Sequence, residues 1–337
     1  MPSSQKLLDF QELINEQQRL IRLTAAQYWQ IAESGLTEHM RKIEVIKATG
    51  GKVMGFFAEN LSKPEVFFKV YISGSFAREQ RGLLAAATID QVQGISIPQL
   101  VALYPHFQAI LTEKRTWEDT DSELKRLFVL TLPFDWEKIG SWLRHFHDSE
   151  VSSQKNNHFL RRKFEKMASL LSSLDGVFSA SQKDQINTVI ARAQDFLEHQ
   201  PLEWVLSHGD FGLSNIKLSG SQMEVVDFED CQMAPRCFDL VNLFARMDYL
   251  QSFPHSQKDF TRLTSQFSRG YGLSLHSDPV TDFFYLLVKL DMIDSYHRRS
   301  QELPWFAPHR WMYSYFYSTN LKRLSKWLAG DRQGYLG

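Results

Sequence analysis

The chain has 337 residues, 43% hydrophobic and 23% charged, with a formal net charge of -1. This is the balance of an ordinary globular protein, long enough for two domains or two lobes. It lacks the basic excess of a nucleic-acid binder, an apolar run that would span a bilayer, and, in its polar start Met1 to Asp9, the apolar core of a signal peptide. Two cysteines, Cys231 and Cys237, are too few for a disulfide framework or a closed zinc site. The expectation is a cytoplasmic protein with reduced thiols and neither nucleic-acid nor membrane partners.

Residues 5 to 33 read as a helix, with Leu7, Leu8, Phe10, Leu13, Ile14, Leu20, Ile21 and Leu23 at helical spacing and Gly35 beyond them. Three strand-like runs follow, 43–47, 52–57 and 66–71, separated by Gly50-Gly51 and the polar segment Asn60 to Pro64. They predict a small antiparallel sheet. Residues 76 to 87 read as a helix, and two further strands fall near 100–104 and 108–111. From about residue 120 the pattern turns helical, as in 135–147, 157–174 and 281–299. An island of short strands at 204–227 interrupts it. The order is helix, sheet-rich lobe, helical lobe, with no linker, repeat or low-complexity tract.

The segment Ser207-His-Gly-Asp-Phe-Gly-Leu-Ser-Asn215 carries a carboxylate at Asp210 and an amide five residues later at Asn215. Ile216 to Leu218 and Met223 to Val226 then form a hairpin pattern around Gly220-Ser221, ending at Asp227. A hairpin returns the chain to its start, so Asn215 and Asp227 can face one point. Phosphoryl transfer needs this grouping. One carboxylate takes the proton of the attacking hydroxyl, while an amide oxygen and a second carboxylate hold Mg²⁺ against the phosphates. Upstream, Lys69 interrupts the apolar strand Val66 to Tyr71, a costly place for an unpaired charge. Glu79 in the following helix is its expected partner, the pairing by which kinases fix the α- and β-phosphates.

On these residues the chain resembles the aminoglycoside phosphotransferase and choline kinase superfamily, over roughly residues 40 to 250. The resemblance implies an α+β, two-lobed, protein-kinase-like fold. It comprises an N-terminal helical extension (1–37), an N-lobe with a small antiparallel sheet and one helix (38–114), and a larger, mostly helical C-lobe (115–337). It implies Asp210 as catalytic base and Asn215 and Asp227 as Mg²⁺ ligands. Lys69 and Glu79 become the phosphate-holding pair, and Asp239 the carboxylate the family carries after its metal-binding strand. Thr112 to Arg115 falls at the family's hinge, where Glu113 and Lys114 would meet the adenine through backbone groups. Gly50 and Gly51 would approach the phosphates. ATP is the expected nucleotide and GTP remains open, because a backbone-read hinge leaves little trace in sequence. The family's Leu-His-Pro between Asp and Asn is replaced here by Phe211-Gly-Leu-Ser214. Thr49-Gly-Gly-Lys52 is not a Walker A pattern, since Val53 follows the lysine.

The acceptor is expected to be a small molecule: an antibiotic, an amino alcohol or a sugar. Only 11 residues separate Asp227 from Asp239, too few for the activation loop that a protein kinase places there. Filled catalytic positions argue against the third alternative, a nucleotide-binding pseudokinase. The tail from residue 251 holds 17 of the 44 aromatics, which read as packed helical core or as an acceptor pocket. Asp291, Asp294 and His297 share one helix face, Trp305, Trp311 and Tyr315 can stack on a sugar or cation, and Asp230 lies three residues beyond Asp227. Asp230, Asp291, Asp294, Trp305 and Trp311 are therefore the candidate acceptor contacts.

Overall fold

The computed structural model describes residues 42–48, 52–58, 66–71, 74–89, 95–105, 108–113, 134–219, 222–248, 257–273 and 276–331. The helix expected over 5–33, Gly50, Gly51 and Lys114 lie outside them. The chain divides into two compact units. One draws on the stretch up to Glu118 together with Ile216–Cys231, the other on Asp119–Asn215 and Gln232–Gly337.

The first unit is built on an antiparallel five-stranded sheet of order β1-β2-β3-β5-β4. Its strands are β1 (Lys42–Ala48), β2 (Lys52–Ala58), β3 (Val66–Tyr71), β4 (Leu100–Tyr104) and β5 (Ala109–Glu113). β3 lies centrally, with Lys69 opposite Met54 on one side and Ile110 on the other. Helix α1 (Phe76–Ala87) follows β3 and buries Phe76, Glu79, Gly82, Leu83 and Ala86, the i, i+3, i+4 stripe of an amphipathic helix. The expectation placed residues 115–337 in one lobe, yet Ile216–Cys231 packs with the sheet unit. The reason is backbone pairing. Ser96 donates to Met223 O at 2.9 Å and accepts from Val225 N–H at 3.0 Å, which attaches the hairpin β8 (Ile216–Ser219) and β9 (Gln222–Val225) to this unit.

The second unit is helical around a small sheet of order β10-β7-β6, made of β6 (Val151–Ser152), β7 (Trp204–Ser207) and β10 (Gln232–Pro235). Its helices are α2 (Trp136–Asp148), α3 (Asn157–Ser173), α4 (Ala180–His199), α5 (Cys237–Met247), α6 (Gln257–Tyr271), α7 (Pro279–Glu302) and α8 (Pro308–Leu328). Side-chain caps set where several begin. The Asp135 carboxylate accepts from Lys138 N–H at 3.0 Å, and Asp278 caps α7 by accepting from Val280 and Thr281 N–H, both at 2.8 Å. Asp278 as cap and Pro279 at the first position explain why α7 starts two residues before the expected 281. α7 is buried on nearly all sides from Val280 to Asp294, as the central helix of a bundle must be.

Inside this bundle the Asp248 carboxylate accepts from Tyr285 Oη at 2.7 Å and from Lys289 Nζ. Lys289 also donates to Asn320 Oδ1 at 2.8 Å, and Arg323 approaches the same carboxylate at 3.4 Å. Burial pushes the Lys289 amine down to about 8, against the attraction of Asp248 and with repulsion from Arg323 adding to it.

Helices α2 and α6 meet at two glycines. A Cβ on Gly140 would lie 2.2 Å from Phe267 O, and one on Gly270 would lie 1.8 Å from Glu137 O. Both obstacles are backbone carbonyls, which cannot swing aside. Gly270→Ala is expected to cost about 3 kcal/mol of stability, read as a lower denaturant midpoint with an unchanged slope.

Candidate active site

In the first unit Lys69 Nζ donates to Glu79 Oε1 and to Asp227 Oδ1, each at 2.7 Å. The lysine and Glu79 are buried, while the Asp227 side chain is 34% exposed. Two carboxylates on one ammonium hold the Lys69 pKa well above its ordinary value, against the burial that would lower it. Burial raises the Glu79 carboxyl above its usual range, opposed by Lys69 and reinforced by Asp227 and Glu229. Glu79 Oε2 has no hydrogen-bond partner among the described residues.

Asp227 follows β9 in the left-handed region, at φ 69° and ψ 63°. Aspartate tolerates this conformation better than most side chains, and such strain gathers at functional positions. The 3-10 turn Phe228–Asp230 then packs on α1. Arg78 donates to Glu229 O at 2.9 Å and lies 3.8 Å from Asp230, and a Cβ at Gly82 would lie 2.8 Å from Phe228 Cβ. One carboxylate oxygen from each of Glu79, Asp227 and Glu229 fall within 4.8 Å of one another. The Glu113 N–H, expected in the hinge, is donated to Gln99 O at 2.9 Å, and its side chain is exposed.

In the second unit β7 ends at Ser207 and the chain turns through Gly209, whose φ of 88° suits a residue without a side chain. Buried Asp239, in the first turn of α5, braces the turn. It accepts from His208 N–H at 2.7 Å, Gly209 N–H at 3.0 Å and His147 Nε2 at 3.0 Å. Burial would raise its pKa, but His147 first, then His208 and the Ser207 side chain, hold it below the usual range. His147 Nδ1 meets Tyr271 Oη at 2.7 Å, which also accepts from Arg236 Nη1 at 3.3 Å. On the far side of the loop Phe211 is buried and stacks on Trp142 at 6.2 Å.

Between those two anchors Asp210 is 39% exposed. Asn215 Nδ2 donates to the Asp210 carbonyl at 2.8 Å and faces its Oδ2 at 3.3 Å. With the amide nitrogen turned to Asp210, the Asn215 oxygen is the end left for a cation. Taken separately, an amide oxygen such as that of Asn215 and a carboxylate such as that of Asp227 are donor types that suit the hard, oxygen-seeking Mg²⁺.

Of the candidate acceptor contacts, Asp291 pairs with Lys166 at 2.9 Å, and Asp294 takes Ser173 Oγ at 2.8 Å and Arg298 Nε at 2.9 Å. Both therefore have partners on their own unit. Trp305 and Trp311 are exposed and joined by a Trp311 Nε1 bond to Trp305 O at 3.1 Å. Arg246, which sequence reasoning did not single out, donates to Asp210 Oδ1 at 3.0 Å.

A family model described as the phosphotransferase enzyme family matches residues 93–276. That is more than half of the chain, and the chain belongs to this family. Solved structures agree in fold. A spectinomycin phosphotransferase complexed with ADP and spectinomycin superposes with a TM-score of 0.56 at 13% identity, covering 89% of this chain and 98% of its own. A choline/ethanolamine kinase family protein from Mesorhizobium loti gives 0.53 at 17% identity, covering 91% and 95%. An aminoglycoside phosphotransferase complexed with GDP and kanamycin gives 0.53 at 13% identity, covering 90% and 99%. No curated protein matches the sequence. The fold is the two-lobed α+β fold of the aminoglycoside phosphotransferase and choline kinase superfamily, and the chain is a phosphotransferase. No helix among the described residues is long and apolar enough to cross a membrane.

Proposed function

We propose that this enzyme moves the γ-phosphoryl group of a nucleoside triphosphate, ATP in the first instance, to a hydroxyl group of a small molecule in the cytoplasm. The observation that carries the reading is the Asp210 carboxylate, half-exposed on a loop whose neighbours His208, Phe211 and Asn215 are buried. A base on such a loop needs no reorganisation when substrate arrives. In the proposed reaction the acceptor oxygen attacks the γ-phosphorus in line and the bond to the β–γ bridging oxygen breaks. Asp210 takes the hydroxyl proton. Lys69, oriented by Glu79, holds the phosphates. Asn215 and Asp227 would hold Mg²⁺, which when bound neutralises phosphate charge.

The acceptor belongs to the class of antibiotics, amino alcohols and sugar-like alcohols, in keeping with the spectinomycin, kanamycin and choline/ethanolamine of the similar structures. The exposed rings of Trp305 and Trp311 and the carboxylate of Asp230 are candidates for contacting it. The purified chain with Mg²⁺ and either ATP or GTP is expected to release nucleoside diphosphate faster when one member of an alcohol panel is present. Choline, ethanolamine, spectinomycin, kanamycin and simple sugars make up that panel. A diphosphate release rate that no acceptor raises, with either nucleotide, defeats the reading.

A further inference from the structure

We infer that Arg246 is a positioning residue for the Asp210 carboxylate, an inference that rests on the role proposed above for Asp210. Arg246 stands in the last turn of α5, where a cation is favoured by the helix dipole. One turn earlier the buried Asn242 accepts from Arg246 Nε at 2.9 Å. The same edge of the guanidinium sends Nη2 to Asp210 Oδ1 at 3.0 Å. Nε and Nη2 are coplanar and rigidly linked, so fixing Nε on Asn242 fixes where Nη2 points. The stem crosses the loop at Gly212, where a Cβ would lie 3.8 Å from Arg246 Cδ. Helix α5 also carries Asp239, the carboxylate that accepts from His208 and Gly209 N–H. One helix therefore braces the backbone of the loop from its first turn and its carboxylate from its last.

Asn215 Nδ2 holds the other carboxylate oxygen at 3.3 Å. Asp210 is thus gripped at both oxygens, and rotation of its carboxyl about the Cβ–Cγ bond is stopped. The longer contact, to Oδ2, is the weaker of the two. That oxygen is the one to accept the acceptor's proton, while Oδ1 stays with the guanidinium. A lysine cannot reproduce this, because its ammonium lacks the planar fork that spans Asn242 and Asp210.

The test is steady-state kinetics of Arg246→Met and Arg246→Lys, with diphosphate release measured to water and to the choline, ethanolamine, spectinomycin and kanamycin panel. Loss of one charge-assisted hydrogen bond predicts a fall in kcat of about 10- to 100-fold for Arg246→Met. KM for nucleotide and acceptor should move less, and Arg246→Lys should recover only part of the rate. In an Asp210→Asn background, Arg246→Met should cause no further loss, because the group it positions is gone. A full effect in that background, or an unchanged kcat beside a lowered melting temperature, overturns the inference and leaves Arg246 a structural residue. An active Asp210→Asn enzyme instead overturns the base assignment itself. Absence of any wild-type turnover sinks both.

Discussion

Asp210→Asn is expected to lower turnover by about 100- to 10,000-fold, the range of a lost general base, while nucleotide affinity stays within a few-fold of wild type. The substitution keeps the shape of the side chain. It also keeps an oxygen able to accept from Arg246 or Asn215, which now grip Asp210 at 3.0 Å and 3.3 Å. What it removes is the capacity to receive a proton. The brace beneath the loop involves other groups, namely Asp239 with His208 and Gly209 N–H, so the fold should persist. Turnover assays checked by nucleotide titration separate the two contributions. A variant that still turns over at the wild-type rate removes Asp210 as the base. A variant that loses nucleotide affinity in step with rate makes the residue structural instead.

The loop and the lysine were legible in the sequence for different reasons. His208 to Asn215 is a local motif, so spacing alone brings a carboxylate and an amide together. Lys69 stands out because it breaks an apolar strand, and Glu79 because it lies in the next element, ten residues on. Arg246 reaches Asp210 across 36 residues and His147 reaches Asp239 across 92. Each occupies a helix position that reads equally well as solvated surface, and only the crossing of the chain gives it a partner. The same limit acts on Asp291 and Asp294. Helical spacing put them on one face, but nothing in the spacing shows that Lys166 and Ser173 cover that face. Gly140 and Gly270 carry no local signal either, since their need for a bare Cα arises only where α2 meets α6. Helix ends erred by a residue or two because the caps Asp135 and Asp278 fix the starts at Trp136 and Pro279, where the expected ranges began at 135 and 281.

Lys69→Met carries the other large expected effect, and it falls on stability as well as on activity. The ammonium is shared by Glu79 and Asp227 at 2.7 Å each. Its removal leaves Glu79, 4% exposed, with a buried charge and no cation. Breaking a buried pair on one side costs about 3–5 kcal/mol, and losing a charged contact to the phosphates should weaken nucleotide binding about 10- to 100-fold. The pH dependence separates this cost from a simple packing defect. In the wild type Lys69 titrates above its unfolded value of 10.5, so its stabilisation is fully present below that pH and is lost only at higher pH. It therefore contributes no slope between about pH 5 and 7. In the variant the Glu79 carboxyl, already raised by burial, binds its proton at a higher pH in the folded chain than in the unfolded one. The folded state then takes up more protons as pH falls, so the variant should regain stability from pH 7 toward about 5 more steeply than the wild type. Adding Glu79→Gln removes the stranded charge and should restore most of the lost stability at pH 7 without restoring nucleotide affinity. Denaturant midpoints at both pH values and nucleotide titrations of the single and double variants read all of this. A double variant as unstable as the single one would show that the loss lies in packing around the methionine, not in the buried charge.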